Sequence, residues 1–320
     1  MVRAMGRRGG VLHLRDDWWM RKVTLRELEH FVALAEHGSV TGAARAIGLS
    51  QPAMSTSLQE LEKALGVTLF VRHRGRGLGL LPEGEALLVE ARELLARAVE
   101  LQERMSASSD GSTGRLVLGS LMTAAPIVVP SLVRRFRDAH PGVAVEIRTG
   151  VQAELLDDVA SGALHAALTY DIGLGSGIDF VRLADSAPHV VVADGHPLSG
   201  AASVGLGELV DEPFVMLDLS TSREYYTSLF LAAGVSMRPA MTVTDLSLVR
   251  SLVGNGFGWS LGNHVPARDE AQDGSRVAYV PLRSDVPPLG LGLALRAGDR
   301  PPAALAAFVG FARSSLEFPR

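Results

Sequence analysis

Three short segments with helical periodicity follow one another between residues 25 and 66, and glycines separate them. The first segment ends at Gly38, because glycine tolerates the left-handed backbone of a helix C-terminus. Ser39 can cap a second helix that runs to Ile47 before a turn, and Ser50 can cap a third. The pattern predicts three short helices packed together at the start of the chain.

The third helix has one apolar and one polar face. Its buried stripe is predicted at Met54, Leu58, Leu61 and Leu65. The exposed face carries short or amide-bearing, uncharged side chains, Gln51, Ala53, Ser55, Thr56 and Gln59. Pro52 fits the first turn, where the N–H group that it lacks has no intrahelical partner. The polar face is therefore available for recognition.

A basic hairpin and a long helix follow. Two apolar runs, Val67–Val71 and Leu78–Leu81, flank a glycine-rich tip with Arg72, Arg74 and Arg76, which is typical of a β-hairpin wing. After Pro82, apolar residues alternate in steps of four and three at Leu87, Ala91, Leu94, Ala98, Leu101 and Met105. Such spacing is typical of a coiled-coil seam and predicts a homodimer through this helix.

Beyond residue 114 the pattern changes. The segment 106–114 is rich in Ser and Gly and predicts a linker. Strand-like apolar runs then alternate with helical stretches to the end of the chain, which predicts an α/β domain with mostly parallel sheets.

Composition narrows the class of protein. With 320 residues and 47% hydrophobic content, two or more domains are expected. The chain has no cysteine, which excludes disulfides, thiolate zinc sites and cysteine nucleophiles. We expect no membrane span or secretory signal and place the protein in the cytoplasm. For the basic segment 1–22 we expect a disordered extension or a translation start at Met20 instead of a functional arm.

The N-terminal segment closely resembles the DNA-binding domain of LysR-type transcriptional regulators. The residues that carry the resemblance are Phe31, Ser39, Ala43, Ala44, the run LSQPA at 49–53, Leu61, Glu62 and the run LGVxLFxR at 65–72. The later part matches the family in pattern only, at RLxLG (115–119), at 136–141 and at VGxGxG (253–258).

The resemblance implies an α/β protein with an all-α winged helix-turn-helix domain, a long linker helix and a two-lobed C-terminal domain similar to periplasmic solute-binding proteins. The expected segments are 1–22 (extension), 23–82 (winged helix-turn-helix), 83–107 (linker and dimerisation helix), 108–114 (linker) and 115–320 (effector-binding domain). Lobe 1 is expected at about 115–188 and 289–320, and lobe 2 at about 189–288, with crossovers near 186–190 and 287–289.

For the DNA-binding domain, the resemblance places the start of the third helix in the major groove. The implied DNA-binding residues are Ser39, Ser50, Gln51, Pro52, Ala53, Ser55, Thr56 and Gln59, with Arg72, Arg74 and Arg76 on the sugar-phosphate backbone or in the minor groove. Two departures remove potential phosphate contacts: Thr56 stands where relatives often have a basic residue, and Leu81 where threonine is usual. The net charge of −4 also requires any DNA contact to come from a local patch.

For the effector, strand ends and helix N-termini mark the candidates. They are Ser120, Met122, Thr123, Thr149, Gly150, Tyr170, Asp171, Ser220, Thr221, Arg223, Thr244 and Asp245. An inward Arg223 would favour a carboxylate effector, whereas Asp171 and Asp245 would favour a ligand with donor groups. We expect neither metal nor cofactor beyond this small molecule.

The resemblance further implies a bacterial homodimer, paired into a homotetramer, that binds double-stranded promoter DNA. RNA polymerase is a partner if the protein is an activator. No catalytic motif is visible in the sequence, so an enzyme is not expected. The alternative is a solute-binding receptor whose N-terminal domain serves only in dimerisation.

Overall fold

The structure, a computed structural model, describes residues 23–73, 77–106, 113–298 and 301–315. The chain forms two compact units, Met1–Leu95 and Ala96–Arg320. The predicted extension 1–22, the hairpin tip 74–76 and residues 107–112 of the predicted linker lie outside the described residues. None of the described helices combines the length and the apolar character that a membrane span requires.

The first unit contains the three predicted helices, a hairpin and the start of a long fourth helix. In chain order its elements are α1 (Leu25–His37), α2 (Val40–Ala46), α3 (Gln51–Leu65), β1 (Phe70–His73), β2 (Gly77–Leu80) and α4 (Pro82–Ser106). Both predicted caps are present, because the Oγ atoms of Ser39 and Ser50 accept from the N–H groups of Gly42 and Ala53 at 3.1 and 3.3 Å. The second helix ends one residue before the predicted Ile47.

A small core holds this unit together. Its most enclosed side chains are Phe31, Leu34, Met54, Leu61 and Leu69. Inside this core His30 Nδ1 lies 2.7 Å from Ser57 Oγ, and this contact joins α1 to α3. The sequence pattern did not predict it. Burial lowers the pKa of His30, so its ring is neutral at neutral pH.

The predicted seam of α4 divides into two parts. Ala91 is only 1% exposed, and Leu87 packs against the core of the helical unit. Leu94 and Leu101 are 50% and 54% exposed, so they remain open to a partner. The prediction that the seam positions face a helix of a second copy is therefore wrong for Leu87 and Ala91.

The second unit has two lobes. The elements of lobe 1 are β3 (Thr113–Leu121), α5 (Ala125–Ala139), β4 (Gly142–Gly150), α6 (Gln152–Ser161), β5 (Ala166–Tyr170), β6 (Ile178–Ser186), β12 (Leu289–Arg296) and α9 (Ala303–Ser315). Its five strands have the order β4-β3-β5-β12-β6. The strands β4, β3 and β5 are parallel, whereas β12 runs antiparallel to both β5 and β6.

Lobe 2 consists of the residues between the two points at which the chain crosses from one lobe to the other. Its elements are β7 (His189–Ala193), a 3-10 helix (Leu206–Leu209), β8 (Phe214–Leu217), α7 (Ser220–Ala232), β9 (Pro239–Val243), α8 (Leu246–Gly254), β10 (Ser260–Gly262) and β11 (Val277–Pro281). The strands β10, β7 and β11 form an antiparallel sheet, and β8 pairs with β9 in parallel. The prediction of mostly parallel sheets is wrong, because strands next to the crossings pair with strands that run the opposite way.

The segment boundaries shift slightly. Thr113 and Gly114, which were expected in the linker, pair with Gly142 and Val143 and so belong to β3. The chain crosses between the lobes at 187–188 and again at 282–288, where the second crossing is longer than the predicted 287–289.

One glycine of the VGxGxG run brings two backbone segments together. Gly258 has a φ of +133°, and a Cβ atom added there would lie 2.0 Å from the carbonyl oxygen of Pro213. That same oxygen accepts from the N–H of Trp259 at 2.9 Å, which aligns the start of β10 with β8. A side chain cannot fit at this point without moving backbone.

We predict that Gly258→Ala lowers the free energy of unfolding by ~3 kcal/mol, because backbone strain and overlap with Pro213 add. Gly310→Ala in α9 is the matched control, since no atom lies within 4 Å of its added Cβ. This control should keep or raise the free energy of unfolding. Denaturant titration of both variants makes the comparison, and equal stabilities would contradict the steric account.

Candidate functional site

The polar face of α3 is exposed as predicted. Gln51, Pro52, Ala53, Thr56 and Gln59 are exposed and Ser55 is half-buried. Gln51, Ser55 and Gln59 recur every four residues and so follow one side of the helix. Met54 and Leu61, on the other side, are fully buried and fix the rotation of the helix.

The hydrogen-bonding groups of this face fall into two kinds. The hydroxyls of Ser39 and Ser50 accept from backbone N–H groups of their own helices. Such a hydroxyl keeps its own proton for donation to a ligand. The amides of Gln51 and Gln59 carry both donors and acceptors, so this neutral face can form hydrogen bonds without strong attraction for every anion.

The wing is described only at its base. The strands β1 and β2 are antiparallel, with Arg72 opposite Leu78 in the pairing. Arg74 and Arg76, which are predicted to contact DNA, lie outside the described residues.

The second unit contains a cavity of about 680 Å³ between its lobes. Six of the twelve predicted effector residues line it, namely Met122, Thr123, Tyr170, Thr221, Thr244 and Asp245. The N-terminal ends of α5, α7 and α8 contribute Pro126, Ser222 and Leu246 to the wall. Strand ends and helix N-termini thus place half of the predicted effector residues at this cavity.

The other six predicted effector residues do not line this cavity. They are Ser120, Thr149, Gly150, Asp171, Ser220 and Arg223. Arg223 does not point inward, because its side chain is 61% exposed and its guanidinium pairs with Asp218. Asp171 is turned to Arg182 and to the N–H of Gly290, which leaves it no free carboxylate for a ligand.

Three of these six lie in strands of lobe 1. Ser120 is enclosed in β3, where its Oγ donates to the carbonyl oxygen of Leu121 at 3.4 Å. Thr149 and Gly150 lie at the end of β4, which is the outer strand of the sheet. Of the strand ends chosen from the sequence, only some reach the cavity.

Sequence reasoning missed much of the polar lining. The additional polar residues are Ser222, Tyr225, Tyr226, Ser247, Arg250, Asn263, His264 and Tyr279. A signal was present for Arg250, which is the single charged side chain in the apolar helix α8. Four of the others lie on the helices α7 and α8, Asn263 and His264 lie in an irregular segment, and Tyr279 lies in β11.

Buried polar contacts connect the lobes beside the cavity. The hydroxyl of Tyr170 in lobe 1 lies 2.6 Å from Nε2 of His264 in lobe 2, and the rings stack with centroids 5.7 Å apart. Ser186 Oγ donates to the carbonyl oxygen of Asn263, whose Nδ2 donates back to the Ser186 carbonyl at 3.3 Å. These contacts hold the lobes in one arrangement.

The protonation states around this contact follow from burial. Burial lowers the pKa of His264 to about 4 and raises the pKa of Tyr170. His264 is therefore neutral at neutral pH, and Tyr170 keeps its proton.

Comparison with known proteins identifies the family. Residues 25–85 match the model for the bacterial regulatory helix-turn-helix protein of the lysR family, and residues 109–317 match the model for the LysR substrate binding domain. The chain belongs to the LysR family of transcriptional regulators. The predicted family and its fold class, a winged helix-turn-helix followed by a two-lobed α/β domain, are thus confirmed.

Individual relatives resemble this regulator over most of its length. A probable hydrogen peroxide-inducible genes activator from Streptomyces viridosporus is 32% identical, over 87% of this chain and 89% of its own. The crystal structure of HinK, a LysR family transcriptional regulator from Pseudomonas aeruginosa, is 34% identical with a TM-score of 0.62, over 92% of this chain and 99% of its own. Full-length CbnR in complex with its target DNA is 26% identical with a TM-score of 0.55, over 91% of this chain and 99% of its own.

We predict that the regulator loses stability as the pH falls from 6.5 toward 4, in part through His264. In that interval the unfolded state binds a proton at this residue and the folded state does not, since the folded pKa is about 4 and the unfolded value is 6.5. The contribution is fully present above pH 6.5, and about 2 kcal/mol of it is lost by pH 5.

His264→Asn removes this part of the pH dependence, measured as the free energy of unfolding at pH 7 and pH 5. Tyr170→Phe is the matched control, because it leaves His264 buried and so retains the loss. The same pH dependence in the wild type and in His264→Asn would show that His264 does not titrate in this way.

Proposed function

We propose that this regulator binds a specific double-stranded promoter sequence through the exposed face of α3, and that a small effector in the interlobe cavity modulates this binding. The observation that carries the proposal is the neutral, hydrogen-bonding face at Gln51, Ser55 and Gln59, held outward by the buried Met54 and Leu61. A face of this kind suits the reading of base edges.

The chemistry of the face fits the major groove. A glutamine side chain can pair with N6 and N7 of adenine through two hydrogen bonds, and serine or threonine hydroxyls can contact bases or phosphates. Because the face has no charge of its own, Arg72, Arg74 and Arg76 of the wing supply the attraction to phosphates. Base selection and general affinity then reside on different elements.

Occupation of the cavity acts through the arrangement of the two lobes. An effector shifts this arrangement only when it binds one form more tightly than the other. The contacts Tyr170–His264 and Ser186–Asn263 belong to one arrangement, and a ligand in the adjacent cavity either strengthens them or competes with them. No metal or cofactor takes part in this mechanism.

The functional assembly is a homodimer through α4, paired into a homotetramer, in the bacterial cytoplasm. RNA polymerase is a further partner if the regulator is an activator. The protein is not an enzyme in this proposal. Thiol-based sensing of hydrogen peroxide is excluded for these 320 residues, because they contain no cysteine.

We predict that the double variant Gln51→Ala/Ser55→Ala weakens the free energy of specific DNA binding by about 1–3 kcal/mol, because the bidentate contact of Gln51 with a base is lost. Binding is measured by fluorescence anisotropy with duplexes from the intergenic region beside its own gene and with scrambled duplex as competitor. Glu60→Gln is the control, since Glu60 is exposed on the opposite side of the same helix from Gln51. Equal, weak binding of the wild type to every duplex would favour the receptor alternative.

We predict that Leu94→Asp weakens the dimer at least about tenfold, because an exposed leucine that is buried in a dimer contributes ~1.5–3 kcal/mol. Val89→Asp is the matched control, since Val89 is 57% exposed on the same helix but outside the predicted seam. Sedimentation equilibrium at equal protein concentrations compares the two. A dimer that both variants leave unchanged would remove α4 from the interface.

A further inference from the structure

The interlobe cavity is lined by one cationic and one acidic side chain. Among the described residues that line it, Arg250 is the one that is positively charged at neutral pH, because His264 is neutral there. Asp245 is the one acidic residue in the lining. The class of ligand that fits depends on which of these two charges is already satisfied.

Asp245 is satisfied by the protein. Its Oδ1 accepts from the N–H groups of Ser247 and Leu248 at 2.7 and 3.1 Å, and it serves as the N-cap of α8. The positive end of the helix dipole compensates a carboxylate in this position. Asp245 therefore offers little to a cationic ligand.

Arg250 is held by carbonyl groups and forms no ion pair among the described residues. Its Nη2 donates to the carbonyl oxygens of Arg268 and Glu270 at 3.1 and 2.9 Å, and its enclosed Nε finds no acceptor among the described residues. In the same unit, by contrast, Arg223 and Arg283 each contact a carboxylate. The nearby carboxylate of Asp269 attracts Arg250 electrostatically, but it forms its ion pair with Arg276. The two carbonyl groups fix the guanidinium of Arg250 in place and leave its Nε for an acceptor on a ligand, which favours an anionic ligand.

The surroundings of Arg250 add a second donor and an apolar wall. Burial raises the pKa of the Tyr279 hydroxyl, and the neighbouring Arg250 guanidinium opposes that rise, so the hydroxyl stays protonated beside the cation. Much of the remaining lining is apolar or aromatic and includes Ile127, Leu217, Tyr225 and Leu289. A cavity of about 680 Å³ lies in the range of small-molecule sites.

We propose that the effector is a small organic monocarboxylate, whose carboxylate binds Arg250 beside the Tyr279 hydroxyl and whose apolar body fills the space between the lobes. With Asp245 already held at the N-terminus of α8, the single cation of the lining balances one negative charge, so a dianion such as a phosphate monoester is disfavoured. This inference rests on the proposed function, because it gives the chemical class of the effector for the same cavity.

The first experiment uses the full-length wild-type protein and three phenyl-substituted carboxylates: phenylacetate, 3-phenylpropanoate and 4-phenylbutanoate. The amide and the amine of the same carbon skeletons serve as neutral and cationic probes. We expect isothermal titration calorimetry to show at least one carboxylate binding about tenfold or more tightly than its amide and its amine. Equal or tighter binding of the amide or the amine, or no binding of any carboxylate, overturns the proposal.

The second experiment assigns the binding to Arg250. In Arg250→Gln the affinity for the best carboxylate should fall about tenfold or more, whereas affinity for its amide should be unchanged. Arg223→Gln is the matched control, because Arg223 lies outside the cavity lining and should bind the carboxylate as the wild type does. An Arg250→Gln protein that is folded by circular dichroism and keeps wild-type carboxylate affinity contradicts the assignment.

The comparison of probes on the wild-type protein remains decisive if Arg250→Gln does not fold. Failure of this inference is also distinct from failure of the proposed function. Carboxylate binding that leaves the DNA complex unchanged argues against effector control but supports the ligand class. Specific DNA binding that changes only with cationic or neutral probes supports effector control but argues against the carboxylate class.

Discussion

The return of the chain into lobe 1 as β12 is the constraint on which the second unit depends. This strand lies between β5 and β6, and its pairing sets Leu289 opposite Ser186. Both crossings between the lobes therefore leave lobe 1 from neighbouring positions on adjacent strands. Because the two connections lie side by side, the lobes can turn about one line, and a cavity between them can open or close without unfolding either sheet.

The polar contacts across the lobes act on this constraint. Tyr170–His264 and Ser186–Asn263 are buried hydrogen bonds between parts that the two crossings would otherwise allow to separate. Their loss without replacement leaves enclosed polar atoms unpaired, which is costly in a protein interior. A ligand with hydrogen-bonding groups in the adjacent cavity can replace them, so the balance between arrangements depends on what fills that space.

The sequence predicted those parts of the structure that depend on residues close together in the chain. The caps at Ser39 and Ser50 and the outward face at Gln51 depend on residues a few positions apart, and the sequence pattern revealed them. The direction of β12 depends on pairing with strands more than a hundred residues away, so the mostly parallel sheets were a wrong prediction. Arg250 stood out in the sequence as the single charged residue of the apolar helix α8, but only the tertiary packing turns Arg223 to solvent and Arg250 to the cavity.

The divided role of α4 bears on how the protein can be cut into working pieces. Its first turns supply Leu87 and Ala91 to the core around Phe31, while the same helix continues with Leu94 and Leu101 uncovered. A fragment that stops at Pro82 would leave a hole in the helical unit. A fragment long enough to close that hole, through Leu95, already includes the exposed seam residue Leu94. If α4 forms the proposed dimer, a DNA-binding fragment with a complete core therefore keeps part of the dimer surface.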